Sequence, residues 1–129
     1  MIVGTDLDGV LAYNTLNKAD YRPFRLHQYY AKCRPGHLCR TKFDVIITGR
    51  RIHYLKVTKK WLDENGVIYD KLVMFPNKVR KNNRSLAKFK GKVINELGIE
   101  VFYEDDLRIV KYLKMMCQNT LVVQVPMET

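Results

Sequence analysis

Long apolar runs, paired cysteines and acidic side chains are all scarce in this chain of 129 residues. No apolar stretch approaches the roughly 18 residues of a membrane helix, so no membrane partner is expected. No charged leader with a cleavage site precedes the first apolar segment, and the chain reads as soluble and cytoplasmic. No Gly-x-x-x-x-Gly-Lys-(Ser/Thr) loop occurs, which excludes a P-loop kinase from these residues. No internal repeat or low-complexity linker divides the chain. At this length a single domain, residues 1–129, with one good core is expected. Nothing in the sequence fixes an oligomeric state.

The three cysteines, Cys33, Cys39 and Cys117, are an odd number, which argues against a disulfide framework. Cys33 and Cys39 flank His37 and invite a zinc reading. Their spacing matches no finger or ribbon, and a fourth ligand is not obvious. Reduced thiols are the plainer reading. The 13 Asp and Glu residues face 23 Lys and Arg, for a formal net charge of +10. A field of that sign attracts anions and speeds their encounter. It suits nucleic acid, nucleotides or acidic surfaces, and equally a generally basic, soluble protein.

Against these absences stands one dense stretch at the start, Ile2-Val3-Gly4-Thr5-Asp6-Leu7-Asp8-Gly9-Val10-Leu11. Ile2 and Val3 read as the end of a buried strand. Asp6 and Asp8 then fall at its C-terminal edge, where open parallel sheets hold their ligands. Gly9 lets the backbone turn away. Two carboxylates this close repel unless a hard cation or a shared proton holds them. An Asx-turn closing the strand is the plain alternative.

Apolar runs and helical stripes alternate along the rest of the chain. Residues 11–42 form an insert without clear strand character, containing a short helix over Pro23 to Lys32. It mixes Tyr13, Tyr21, Phe24, Tyr29 and Tyr30 with Lys18, Arg22, Arg25, Lys32, Arg34 and Arg40. Such a mixture can stack bases and pair phosphates. It can equally pack its rings on a sheet edge and leave its charges in water. Strands are expected at Phe43 to Thr48, Leu72 to Phe75, Val101 to Tyr103 and Leu121 to Val125. Helices are expected from about Arg51 to Asn65, from Ser85 as N-cap to Leu97, and from Leu107 to Cys117. This alternation predicts an α/β fold, a three-layer Rossmann-like arrangement with a central parallel sheet and right-handed crossovers. Asp6, Asp8, Thr48 and Asp105 or Asp106 then meet at one edge of the sheet.

The chain resembles the haloacid dehalogenase superfamily, in its minimal-cap form. The first motif is Asp6-Leu7-Asp8-Gly9-Val10. The second is the apolar strand Val45-Ile46-Ile47 ending in Thr48-Gly49-Arg50, and the fourth is Val101-Phe102-Tyr103 ending in Glu104-Asp105-Asp106. The third is a lysine near a helix start, with Lys90 in the best place and Lys88 and Lys92 as rivals. The resemblance implies Asp6 as nucleophile, giving an aspartyl-phosphate, and Asp8 as proton donor and later base. It implies that Thr48 donates its hydroxyl to the phosphate oxygens, that Lys90 offsets the negative charge of Asp6 and the phosphate, and that Asp6, Asp8, Asp105 and Asp106 supply oxygens for Mg²⁺. Asp105 is favoured over Asp106, which stands before Leu107 and can also cap the helix there. Gly49 and Arg50 are candidate substrate-binding residues; Arg50 can hold a second phosphate or pair with a structural carboxylate.

The insert is too short for a folded cap domain, so a small flap is expected over an open site. The open site, the positive charge and the aromatic-basic flap lean toward a phosphorylated nucleic-acid end, similar to the substrates of polynucleotide 3′-phosphatases. The expected function is a Mg²⁺-dependent phosphomonoester hydrolase. Nucleotides, small phosphomonoesters or a phosphoprotein are alternative substrates. A non-catalytic module that binds nucleic acid or protein is the alternative from another class.

Overall fold

The alternating apolar runs assemble into five strands, all parallel, in the order β3-β2-β1-β4-β5. The computed structural model describes residues 1–13 and 22–126. Strand β1 is Val3–Thr5, β2 Phe43–Arg51, β3 Tyr69–Phe75, β4 Val101–Glu104 and β5 Leu121–Gln124. The helices are α1 Pro23–Lys32, α2 Leu55–Glu64, α3 Asn83–Leu97 and α4 Leu107–Met116. Strand order reverses direction at β1, which pairs with β2 on one side and β4 on the other. This reversal opens a crevice at the C-terminal ends of the strands.

The inner part of the sheet is covered on both faces, as parallel sheets require. In β2, Val45 and Ile47 join a cluster with Ala87, Ile94, Phe102 and Leu113. Ile46, on the opposite face, joins Leu7, Leu11, Trp61 and Leu62. Helices α3 and α4 therefore cover one face and α2 the other, with α1 packed on α2. The Trp61 indole nitrogen is buried yet donates to the Cys33 carbonyl at 2.7 Å. That bond fastens the end of α1 to α2.

Four boundaries differ from the sequence expectation for physical reasons. Strand β2 runs on to Arg51 through a register shift between Thr48 and Arg51. The following helix consequently begins later, with a 3-10 turn at Ile52–Tyr54 before α2. Strand β3 starts at Tyr69, three residues early; it is an edge strand, and Asp70 and Lys71 there face water. Ser85 is not the N-cap of α3. Asn82 takes that place, accepting from Ser85 N at 2.9 Å, while the Ser85 hydroxyl accepts from Asn82 N at 3.0 Å. The two residues form a reciprocal capping box.

Of the insert, helix α1 has the bounds read from the sequence. Leu11 and Ala12 belong to the core rather than to a flap. Tyr30 is buried with Leu26 and Val57, so this ring packs. The Tyr29 hydroxyl donates to the Tyr13 carbonyl, and Arg34 lies over the Tyr13 ring. Lys18 and Tyr21, named above as flap residues, lie outside the described residues. Among the described residues no helix is long and apolar enough to cross a membrane.

Removing the Asn82 cap tests how firmly α3 is started. Asn82→Ala is expected to cost about 1 kcal/mol of unfolding free energy, read as a lower urea midpoint with an unchanged slope.

Candidate active site

The C-terminal strand ends line a cavity of about 570 Å³. Asp6 follows β1 directly and is 6% exposed. One of its oxygens accepts from Leu7 N at 2.8 Å, which fixes the carboxylate at the turn. Lys90, on the buried face of α3, brings its ammonium to 3.1 Å from Asp6 and 2.6 Å from Glu104. Lys88 and Lys92 point to water, and Lys92 pairs with Glu96 one turn along the helix. Helical geometry thus singles out Lys90 among the three.

Glu104 ends β4 and is fully buried. Its second oxygen accepts from the backbone N–H groups of Asp105 and Asp106 at 3.0 and 3.2 Å. Oxygens of Asp6, Glu104 and Asp105 all lie within 4.8 Å of one another. Three carboxylates with one ammonium leave the group short of positive charge. Burial pushes the Asp6 carboxyl well above its ordinary value; Glu104 adds to this and Lys90 opposes it. Asp105 is pushed up to about 7, by burial first and by Glu104 second. Burial would raise Glu104 too, but the Lys90 ammonium and hydrogen bonds with Asp105, Asp6 and Lys90 together outweigh it, and Glu104 lies below its ordinary value. Burial alone would lower the Lys90 ammonium, yet Asp6 and Glu104 hold it above the usual lysine range. Oxygen donors, close convergence and missing positive charge are what a hard divalent cation fits.

Gly9 makes room for this cluster. Its φ is +94°, and a Cβ there would overlap the Asp105 carboxylate. Asp106 faces differently: its carboxylate accepts from Arg108 N and Ile109 N and caps α4, while the residue lines the cavity.

Asp8 forms a second centre on the same cavity. Arg50 donates to it twice, Nε to Oδ2 at 3.0 Å and a terminal nitrogen to Oδ1 at 2.8 Å. Arg50 is 1% exposed, lies 4.0 Å over the Tyr30 ring, and also donates to Thr58 Oγ1 and the Tyr30 carbonyl. Burial would weaken its hold on the proton, but Asp8 more than compensates and the guanidinium stays charged. Thr48 is fully buried and does not line the cavity; its hydroxyl accepts from Arg50 N at 3.0 Å and orders the turn. Gly49 lines the cavity beside Arg50.

Cys33, His37 and Cys39 do not come together as a metal site. The Cys33 thiol touches Arg50 at 3.4 Å, whereas Cys39 reaches the Asn65 carbonyl. Among the described residues, Asp6, Glu104 and Asp105 are the group able to hold a metal. The sequence pattern marks the Glu104-Asp105-Asp106 triplet but does not make Glu104 a site residue. It also leaves out Lys81, Arg51 and Tyr54. Period-2 alternation along β4, with Phe102 inward, is the signal that could have found Glu104.

These features define a Rossmann-like α/β protein with a carboxylate-lysine site at the switch point of a five-stranded parallel sheet. No family model matches the chain, and no curated protein matches it. Solved structures do. A chain of "Structure of the Pnkp1/Rnl/Hen1 RNA repair complex" is 20% identical, with a TM-score of 0.73 over 97% of this chain and 42% of its own. A chain of "Structure of Pnkp1/Rnl/Hen1 complex" is also 20% identical, with a TM-score of 0.70 over 99% of this chain and 46% of its own. At that identity the likeness is one of fold. The chain spans less than half the length of these structural neighbours.

Two measurements probe the charge balance. Lys90→Met strands buried carboxylates and is expected to cost about 3–5 kcal/mol near pH 8. The cost shrinks near pH 5, where a carboxyl can take up a proton; urea unfolding at both pH values checks this. Asp105 releases its proton near its ordinary 3.8 when unfolded but near 7 when folded. Between those values the folded chain holds more protons, so stability falls as pH rises. In chelator-treated buffer, Asp105→Asn should flatten that decline and raise the melting temperature at pH 8, with no gain below pH 4.

Proposed function

We propose that the chain is a Mg²⁺-dependent phosphomonoester hydrolase of the haloacid dehalogenase type, acting on phosphorylated nucleic-acid ends. One observation carries this reading: Asp6 is held by Leu7 N and Lys90 at the cavity floor, beside two further carboxylates that one lysine cannot neutralise. The fold shared with chains of RNA repair complexes supports the choice of substrate class, as does the net charge of +10.

The chemistry follows from positions. An oxygen of Asp6 attacks phosphorus, and the bond from phosphorus to the leaving oxygen breaks. Lys90 opposes the effect of burial on Asp6 and so favours the charged form that attack requires. Asp8 gives a proton to the leaving oxygen, then takes one from the water that cleaves the phosphate from Asp6. Arg50 occupies one lone pair on each Asp8 oxygen and leaves others for this proton. Asp6, Asp105 and the phosphate oxygens would hold the Mg²⁺, with Glu104 and Lys90 behind them. The cation supplies charge neutralisation as the phosphoryl group transfers. Gly49 lines the cavity with backbone only, since a Cβ there would crowd Leu86.

The test is Mg²⁺-dependent phosphate release from a 3′-phosphorylated oligonucleotide, beside the matching mononucleotide, with Asp6→Asn as control. Faster release from the oligonucleotide, lost by at least a hundredfold in the variant, is expected. Equal release from both would keep the hydrolase and remove the nucleic-acid substrate. Oligonucleotide binding with no release from either would favour a binding module instead.

A further inference from the structure

Four cationic side chains line the cavity: Arg50, Arg51, Lys81 and Lys90. Three are committed. Arg50 is bonded to Asp8 and Lys90 to Asp6 and Glu104. Arg51 donates to the carbonyls of Pro76, Asn77 and Val79 at 2.8, 3.0 and 2.7 Å. Lys81 makes no ion pair or hydrogen bond among the described residues. It is half-buried, and its chain passes close to Gly49: a Cβ there would stand 3.7 Å from Lys81 Cε.

The Arg51 contacts explain why Lys81 stays there. They pin the loop from Pro76 to Val79 to the end of β2, and the Asn77 side chain adds a bond from His53 N at 2.8 Å. The Asn82 capping box fixes the other side of Lys81. A flexible ammonium on the cavity lining is thereby tethered between two anchored points. Close to it in sequence, Lys78, Arg80 and Arg84 are exposed, and no Asp or Glu occurs between Asp70 and Glu96. The cavity, at about 570 Å³, is of the size that holds a drug-sized ligand rather than a lone phosphate.

We propose that Lys81 binds a second phosphate of the substrate, the phosphodiester next to the terminal nucleotide, and so selects oligonucleotide ends over mononucleotides. This deepens the reading of the cavity as a site for phosphorylated nucleic-acid ends. Lys78, Arg80 and Arg84 continue the positive track for the phosphates beyond. Arg51 is a positioning residue, since it acts through the loop that carries Lys81.

Equilibrium binding tests the inference without relying on turnover. Lys81→Met is compared with Lys81 in the Asp6→Asn background, with Mg²⁺ present. The ligands are a fluorescent single-stranded oligonucleotide with a 3′-phosphate, a nucleoside 3′,5′-bisphosphate and a nucleoside 3′-monophosphate. The expected result is a loss of roughly tenfold or more for the oligonucleotide. Its salt slope should also fall by about 0.7, the value of one phosphate contact on a single strand. The monophosphate should lose much less, and Lys81→Arg should restore most of the oligonucleotide affinity. Equal losses on oligonucleotide and monophosphate would assign Lys81 to the reacting phosphate and overturn the proposal. Loss on the bisphosphate but not the oligonucleotide would overturn the oligonucleotide preference in favour of a small bisphosphate. Unchanged binding of all three would overturn it outright. Absent phosphate release with this binding pattern intact would instead count against the hydrolase reading alone.

Discussion

A single buried ammonium joins the two strands on which the site depends. Lys90 reaches from α3 to Asp6 at the end of β1 and to Glu104 at the end of β4. Neither carboxylate tolerates burial without it, and the lysine in turn would not stay charged alone. The contact therefore couples helix placement to site electrostatics. Helix α3 must be started at Asn82 and packed through Ala87, Gly91 and Ile94 for the ammonium to arrive. Gly91 is buried with its Cα side toward Leu113 and Cys117 of the neighbouring helix layer. Packing, capping and charge are thus one arrangement seen from three sides.

The two centres of the cavity divide their labour by how they are neutralised. Asp8 is matched one to one by Arg50, whose planar fork suits a carboxylate. The Asp6, Glu104 and Asp105 group is not matched, and its charge deficit shows in the raised Asp6 and Asp105 carboxyls. The same cavity therefore offers one carboxylate set by a guanidinium and one group whose protonation responds to its surroundings. The two carboxylate centres thus differ in charge balance although they line one cavity.

Much of this architecture is legible in the residues alone. The alternation of buried runs and amphipathic segments carries the parallel sheet, because both faces of each strand must be covered. The bounds of α1 follow from Pro23 at its start. Asp6, Asp8 and Asp105 are legible as residues at strand ends, where chemistry collects. Less is visible where tertiary contact decides. The extension of β2 through Arg51 depends on pairing with β3, and no local signal marks it. Glu104 reads as one more acidic residue before a helix until α3 delivers Lys90 to it. Arg50 admits two readings, and the distinction rests on where Asp8 turns after Gly9. Lys81 lies inside a basic run whose members look alike; its place at the cavity is set by carbonyls on a loop that sequence cannot orient.

The strand order gives the site an uneven mechanical footing. Strand β1 is only three residues long, yet it is flanked on both sides by other strands. Pairing on both sides shields it from fraying and places its amides among the groups expected to open last. Asp6 and its neighbours therefore share the lifetime of the global fold. The aromatic wall of Tyr29, Tyr30 and Tyr54 rests instead on α1 and the turn before α2, outside the sheet. Sub-global opening can release that wall while the carboxylate floor remains set, so ligand entry and unfolding need not share a barrier.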